Sequence, residues 1–246
     1  MPFYGDYHTH SRYSDGRQDI LDIVQAAEHK GLHEVAITEH GPLAAVIGVK
    51  NTDIYQDIHE QIDAINRSEV YAVQILLGAE ANIRGLDGSI DLPEESIRNF
   101  DLLIAGLHPF TWPSSASDIG RLWIQNYLRY LGRSQREKAI NANTKATVEC
   151  LYTNQEVDIL SHPGLFYEVD VEEVARACVK NNVLFEINCG HEHPDISDIM
   201  KADQVGVEFI VNSDAHFPES VGNLNYGLEI MNKCKISLDR INNWLE

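Results

Sequence analysis

The chain has 246 residues, of which 43% are hydrophobic and 23% are charged, so its length and composition suit one large α/β domain or two small ones. Its formal net charge of -19 argues against a general nucleic-acid surface, because binding to phosphate backbones requires clustered Lys and Arg. No apolar run is long enough for a transmembrane helix, and the first residues lack the basic and apolar regions of a signal peptide, which predicts a cytoplasmic protein without membrane attachment.

Seven short apolar runs predict strands, at residues 3–8, 34–38, 73–81, 102–107, 158–161, 183–188 and 207–212. Between them, apolar residues repeat at helical spacing and predict helices at 19–30, 53–66 and 171–181. Near the end of the chain, Ser237 is predicted to cap a final helix that presents Leu238, Ile241, Trp244 and Leu245. Segments 83–92 and 111–118 are rich in Gly, Asp, Ser and Pro and are predicted to be loops.

Strands that alternate with helices indicate a parallel sheet with right-handed crossovers, either doubly wound or closed into a barrel. Polar side chains fall at or just beyond the carboxyl ends of six strands: His8, His40, Glu80, His108, His162 and Asp214. An open sheet gathers ligands at one switch point, whereas a barrel places all its strand ends around one pocket. This pattern therefore favours a barrel, and because no linker is evident we expect one domain over residues 1–246. Nothing in the sequence specifies an oligomeric state.

The strand ends and the loops after them carry nine potential metal ligands: His8, His10, Asp15, His40, Glu80, His108, His162, Asp214 and His216. Six imidazoles and three carboxylates are too many for one ion and suit two or three ions that share a bridging carboxylate. His8 and His10 alternate along a strand and so lie on one face, with Asp6 available there to orient an imidazole. Each motif alone also has an ordinary explanation as a turn or a core histidine. Their common location makes the multinuclear site the stronger interpretation.

As a set, these motifs resemble those of the PHP (polymerase and histidinol phosphatase) family. They follow the family's order along nearly the whole chain: His8-Thr9-His10, Ser14-Asp15-Gly16, Thr38-Glu39-His40-Gly41-Pro42, Gly78-Ala79-Glu80, Gly106-Leu107-His108, Ser161-His162-Pro163 and Asn212-Ser213-Asp214-Ala215-His216. The resemblance implies an α/β fold of the TIM-like type, a distorted (β/α)7 barrel, with three metal ions at the carboxyl ends of its strands.

The resemblance also implies how the ligands are shared. One metal would be held by His8, His10, Glu80 and Asp214. Glu80 would bridge to a second ion, which is held by His108 and His162. The third ion would be held by Asp15, His40 and His216, although many relatives have histidine in place of Asp15. Nitrogen and oxygen ligands without thiolate suit two to three ions of zinc, manganese or iron.

The activity implied is hydrolysis of a phosphomonoester by metal-activated hydroxide at a trinuclear site, with Glu80, Asp214 and His216 as the central catalytic residues. A small phosphorylated substrate is expected, and a histidinol-phosphatase-like activity is one member of this class. The positive metal ions would attract the phosphate despite the acidic surface. Further substrate contacts are predicted from arginines and histidines in loops after strands: Arg12, Arg17, Arg84, His191 and His193.

Three other interpretations fit parts of the pattern. A metal-dependent amidohydrolase also has HxH on its first strand, but such enzymes commonly use a bridging lysine, and no lysine occurs at these strand ends. A 3′–5′ exonuclease activity belongs to polymerase-linked relatives, and the acidic charge argues against it. A non-catalytic, metal-stabilised scaffold would be expected to have lost ligands, whereas this set is complete.

Overall fold

A computed structural model describes residues 2–245. Seven parallel strands pair in sequence order, as the apolar runs predicted. Their bounds are β1 Gly5–Asp6, β2 Glu34–His40, β3 Gln74–Asn82, β4 Leu102–Gly106, β5 Ile159–Leu160, β6 Leu184–Asn188 and β7 Phe209–Asn212. Strand β2 extends two residues beyond its predicted end and includes His40, whereas β1 and β5 are shorter than predicted.

The sheet curves into a nearly closed barrel. Beyond the formal ends of β1 and β7, the backbone N–H of His10 donates to the carbonyl of Ala215 at 2.8 Å, and the N–H of Ala215 donates to the carbonyl of His8 at 3.2 Å. These bonds place the segment from His8 to His10 beside the segment that follows β7. The first and last strands thus bring their polar ends together, as expected for a barrel.

Nine α-helices surround the barrel within residues 2–245: α1 Ile20–Lys30, α2 Ile54–Ser68, α3 Glu94–Ile97, α4 Ala116–Asp118, α5 Gln125–Leu128, α6 Arg133–Thr153, α7 Val171–Asn181, α8 Ile196–Val205 and α9 Asn225–Cys234. The first illustrates how sequence sets their bounds. Asp19 and Asp22 form a capping box at its start, and Gly31 ends it in the left-handed conformation at φ 74°. No helix in the described part of the chain is long and apolar enough to cross a membrane.

The barrel has an inner and an outer apolar layer. Val35 and Ile37 of β2 face the helices in the main core, while Ala36 belongs to a small inner cluster with Leu102, Ile104, Ile159 and Ile210. Because side chains alternate along a strand, Ala36 and His40 share the inner face. The inner apolar cluster therefore forms the floor below the polar strand ends.

The predicted C-terminal helix from Ser237 is wrong. Only a 3-10 turn forms, at Leu238–Arg240, and a further turn follows, in which the N–H of Trp244 donates to the carbonyl of Ile241 at 3.1 Å. The Asn243 side chain accepts from the N–H of Val211 and donates to the carbonyls of Val211 and Gly5, and the Trp244 ring packs edge-on against Phe3 at 5.4 Å. Because these bonds hold the tail against the barrel and not in a helix, it covers the amino ends of β1 and β7, at the opposite end of the barrel from the histidines.

Candidate metal centre

All nine predicted ligands converge at the carboxyl end of the barrel. Seven of them are buried: His8, His10, His40, Glu80, His108, His162 and Asp214. The side chains of Asp15 and His216 are 24% and 25% exposed and lie at the mouth of a cavity of about 480 Å³. The structure thus brings together the set that the sequence predicted to share one pocket.

Glu80 lies at the centre of this cluster, and its two oxygens face different histidines. Oε2 lies 3.2 Å from His8 Nε2 and 3.0 Å from His40 Nδ1. Oε1 lies 3.2 Å from His108 Nε2 and 3.1 Å from His162 Nε2. One carboxylate therefore contacts two separate pairs of imidazoles, the geometry required of a bridging ligand.

A second set of contacts surrounds Asp15. Its Oδ2 lies 3.2 Å from His216 Nε2, and its Oδ1 lies 3.8 Å from His40 Nε2 and 3.9 Å from His10 Nδ1. One ligand atom from each of these four side chains lies within 4.8 Å of the others. His40 offers its Nδ1 to Glu80 and its Nε2 to Asp15, so it connects the two sets.

Burial and neighbouring charge set the protonation of these groups. Burial alone would raise the pKa of Glu80, but His8, His108 and His40 outweigh it and hold that pKa well below its usual range. Burial, reinforced by His40, lowers the pKa of His10 to about 4, and burial lowers the pKa of His108 to about 4. Against the effect of burial, Glu186, Asp214 and Glu80 instead raise the pKa of His8 well above its ordinary value, and Asp15 raises the pKa of His216 to about 9. Metal ions bind charged carboxylates and neutral imidazoles, so metal binding would displace protons from these two histidines.

Unpaired polar atoms show that these residues fit a cation. Within residues 2–245, four buried atoms that face one another have no hydrogen-bond partner: His8 Nε2, His10 Nε2, His40 Nδ1 and Glu80 Oε2. The His10 nitrogen lies 3.6 Å from that oxygen, close to the distances of the other two. Buried polar atoms without partners are costly, and a cation among them would satisfy all four.

Two of the predicted ligands stand on strained backbone. His162 has φ 27° and Asp214 has φ 51°, the left-handed region that L residues rarely adopt. Both lie two residues beyond a strand end, where the chain leaves the barrel. Such strain persists only when its surroundings enforce it, and it concentrates at functional sites.

Glu186 is a functional residue that the sequence analysis missed. Its Oε1 accepts from His8 Nδ1 at 2.7 Å, and its Oε2 accepts from the backbone N–H of His162 at 2.8 Å. It thereby fixes the imidazole of His8 so that Nε2 faces Glu80. Asp6, which was expected to orient an imidazole, instead accepts from Ser213 and Gly222 and supports the segment before Asp214.

Glu39 gives similar support on the other side of the site. This buried carboxylate accepts from the backbone N–H of Ser11 at 2.9 Å and from the hydroxyls of Ser11 and Ser14. The loop between β1 and α1 is thereby held against β2. Asp15 lies in this loop, directly after Ser14, so Glu39 helps to place it at the mouth of the cavity.

The Glu186 contacts predict a measurable effect on metal affinity. Glu186→Gln should lower it by about 10–100-fold, because an amide lacks the charge that holds His8 in its ligating orientation. Calorimetric titration of the metal-free protein with Zn²⁺ or Mn²⁺ measures this. Glu208→Gln, at an exposed position just before β7, is the matched control and should leave affinity unchanged. Equal affinity in both variants would contradict the role of Glu186.

The structure places the three arginines that were predicted to contact substrate in three different environments. Arg17 lines the metal cavity, and its guanidinium lies over the Phe217 ring at 5.4 Å. Arg12 pairs with Asp19 at 3.2 Å and lines a different cavity. Arg84 donates from Nε to the carbonyl of Trp112 at 3.0 Å and from Nη2 to that of Pro113, so it joins two loops and does not line the metal cavity.

The two predicted histidines after β6 also differ. His191 lines the metal cavity, and its Nε2 lies 3.5 Å from Asp214 Oδ2. His193 Nε2 instead lies 2.9 Å from the carbonyl of Pro163, and His193 is not among the residues that line the cavity. His193 therefore packs against the loop that carries His162.

Comparison with known proteins agrees with this architecture. The PHP domain family matches residues 6–190, a range that ends before Asp214 and His216. A probable phosphatase of Shewanella piezotolerans is 27% identical over 253 residues, which cover 99% of this chain and 90% of that protein. DNA polymerase/3'-5' exonuclease PolX of Bacillus subtilis is 27% identical over 238 residues, or 93% of this chain, but the match spans only 37% of PolX.

A solved structure shows the same fold. Histidinol phosphate phosphatase of Lactococcus lactis, complexed with zinc, L-histidinol and phosphate, has a TM-score of 0.65 at 18% identity, and the match covers 95% of this chain and 94% of that one. The barrel and the histidine–carboxylate cluster at its strand ends define a metal-dependent hydrolase. The chain belongs to the PHP domain family.

Proposed function

We propose that this protein hydrolyses phosphomonoesters at a centre of two to three divalent metal ions. The observation that carries the proposal is that the two carboxylate oxygens of Glu80 face different histidines. Oε2 faces His8 and His40, and Oε1 faces His108 and His162. A single carboxylate between two sets of imidazoles suits two ions a few ångströms apart, the arrangement used for displacement at phosphorus.

The proposed ligand sets are those that the family resemblance implies, and the contacts support them. The first ion would be held by His8, His10, Glu80 and Asp214. The second would be held by Glu80, His108 and His162. The third would be held by Asp15, His40 and His216, and His10 Nδ1 also lies near this set. Zinc, manganese and iron all suit these nitrogen and oxygen donors.

The ions, when bound, supply Lewis acidity and lower the pKa of water to near neutrality. The chain orients the substrate around them. Arg17 lies on the cavity wall, where its guanidinium binds phosphate oxygens. His191 is half-exposed at the mouth, where Nε2 donates a hydrogen bond to the leaving-group oxygen.

The phosphatase names of the relatives support a monoester, and similarity to PolX supports a second candidate, a phosphodiesterase acting on nucleic-acid ends. Two features favour the monoester. The net charge of -19 opposes a polyanionic strand, and Arg17 is the one Arg or Lys among the residues lining the metal cavity in the described chain.

Hydrolysis of p-nitrophenyl phosphate and bis-p-nitrophenyl phosphate by the protein loaded with Zn²⁺ or Mn²⁺ tests this choice. We expect kcat/KM for the monoester to be higher by at least about a hundredfold, because only its terminal phosphate offers three unesterified oxygens to the metals and Arg17. A preference for the diester, together with release of nucleotides from an oligonucleotide end, would replace the proposal by the exonuclease candidate.

The position of Arg17 predicts a change in substrate binding. Arg17→Met should raise KM for a phosphomonoester by about tenfold, because it removes a charge-assisted contact to phosphate, and should leave the bound metals in place. Steady-state kinetics and metal content measure the two effects. Arg12→Met is the matched control, since Arg12 lies in the same loop but outside the metal cavity. Equal KM values for the two variants would contradict a phosphate contact by Arg17.

A further inference from the structure

A second cavity adjoins the metal centre. It has a volume of about 210 Å³ and lies between the segment that follows β4 and the loop that follows β5. We call it the aromatic slot and define it by six lining residues: Phe110, Tyr127, Arg129, Tyr130, Phe166 and Tyr167. Five of these six side chains are aromatic.

Phe166 connects the slot with the metal centre, because it lines both cavities. Its ring centroid lies 5.7 Å from His108, 5.4 Å from His162 and 5.8 Å from His191. A group in the slot is therefore separated from the proposed ligands of the second metal by one phenyl ring. Phe166 thus forms a wall that the slot shares with the metal centre, on the side of the proposed second metal.

Arg129 is held firmly at the wall of the slot. Its Nη1 donates to Asn126 Oδ1 at 3.2 Å and to the carbonyl of Phe166 at 3.3 Å, and its Nη2 donates to the Tyr130 hydroxyl at 2.7 Å. Its guanidinium lies 4.8 Å from the Tyr130 ring and 5.9 Å from the Tyr167 ring. A flat cation between aromatic rings forms a surface on which a further ring stacks.

We propose that the aromatic slot binds one aromatic ring carried by the alcohol of the phosphomonoester substrate. A cavity of about 150 Å³ is enough to admit benzene, so this slot accommodates a single ring with a small substituent. Its position beside the metal centre points to the leaving group of the ester. This inference rests on the proposed function and adds Tyr127, Arg129 and Tyr130 as residues that determine specificity.

Two esters of similar leaving-group acidity test the proposal: benzyl phosphate and n-butyl phosphate. With the metal-loaded protein, we expect kcat/KM to favour the benzyl ester by about tenfold. The double variant Tyr127→Ala/Tyr130→Ala should reduce this ratio to nearly one while inhibition by inorganic phosphate stays unchanged. The two tyrosines are 63% and 76% exposed, so their removal leaves the core intact. Tyr152→Ala, on α6 and outside both cavities, is the control.

Calorimetric binding of benzylphosphonate and n-butylphosphonate separates this inference from the proposed function. Selective binding of benzylphosphonate that the double variant loses would support the slot even if no ester is hydrolysed, in which case the proposed function fails alone. Hydrolysis of both esters with the same ratio in the wild type and the double variant would overturn the slot and leave the proposed function standing. Absence of both hydrolysis and selective binding would overturn both.

Discussion

Glu80→Ala is expected to reduce phosphomonoester hydrolysis by at least about a thousandfold, because it removes the carboxylate whose two oxygens face the two sets of imidazoles. Alanine also leaves four histidines in a buried site without their central negative charge. We expect metal content to fall by at least one ion per chain. Steady-state kinetics with added Zn²⁺ or Mn²⁺ and elemental analysis of the same samples measure both effects.

His59→Ala is the control for this variant. His59 is on α2, its side chain is 44% exposed, and its contact is a pairing with Asp63 at 3.6 Å. Its removal should leave activity and metal content near those of the wild type. If Glu80→Ala retained full activity, the bridging role assigned to Glu80 would be wrong.

Gly106→Ala is expected to reduce kcat/KM by about a hundredfold through steric displacement of the site. Gly106 ends β4, and a Cβ atom there would lie 2.4 Å from Ser161 Oγ, 2.6 Å from His108 Cε1 and 2.9 Å from Glu80 Oε1. These distances are too short for non-bonded contacts, so the two ligands must move. Kinetics and thermal unfolding of the metal-loaded variant distinguish loss of activity from loss of the fold.

Gly120→Ala is the matched glycine control, because a Cβ atom there would have no neighbour within 4 Å. It should retain wild-type activity. Unchanged activity in Gly106→Ala would mean that Glu80 and His108 tolerate displacement, which contradicts a closely fixed bridging geometry.

The strands and the ligand cluster were predictable because parallel strands are buried on both faces and appear as continuous apolar runs. Polar residues at the ends of such runs stand out, as His108 does after β4 and His162 after β5. The same reasoning would have identified Glu186. It lies in a buried strand, where an unpaired carboxylate is costly, just as Glu80 does.

The longest helix, α6, escaped prediction for a physical reason. Its buried face carries small or polar residues, among them Ala139, Asn143, Thr144 and Thr147, so no apolar stripe appears at helical spacing. Asn143 is accommodated by hydrogen bonds to Asn126 and to the carbonyl of Glu168. Such pairing depends on residues far along the chain, which local periodicity does not reveal.

The direction of individual side chains was also beyond the sequence. Arg12 and Arg17 lie in one loop, but only Arg17 lines the metal cavity, because Arg12 pairs with Asp19. Arg129 had no motif around it, and its place beside the metal centre depends on its bond to the carbonyl of Phe166. Loop residues of this kind acquire their role from tertiary contacts.

The most direct test of the central claim is the metal content of the purified protein, measured by elemental analysis together with p-nitrophenyl phosphate hydrolysis before and after chelation. Two to three divalent ions per chain, with hydrolysis that chelation abolishes and added Zn²⁺ or Mn²⁺ restores, are the predicted result. A protein that binds no metal tightly, even after growth with added zinc or manganese, would contradict the multinuclear metal centre.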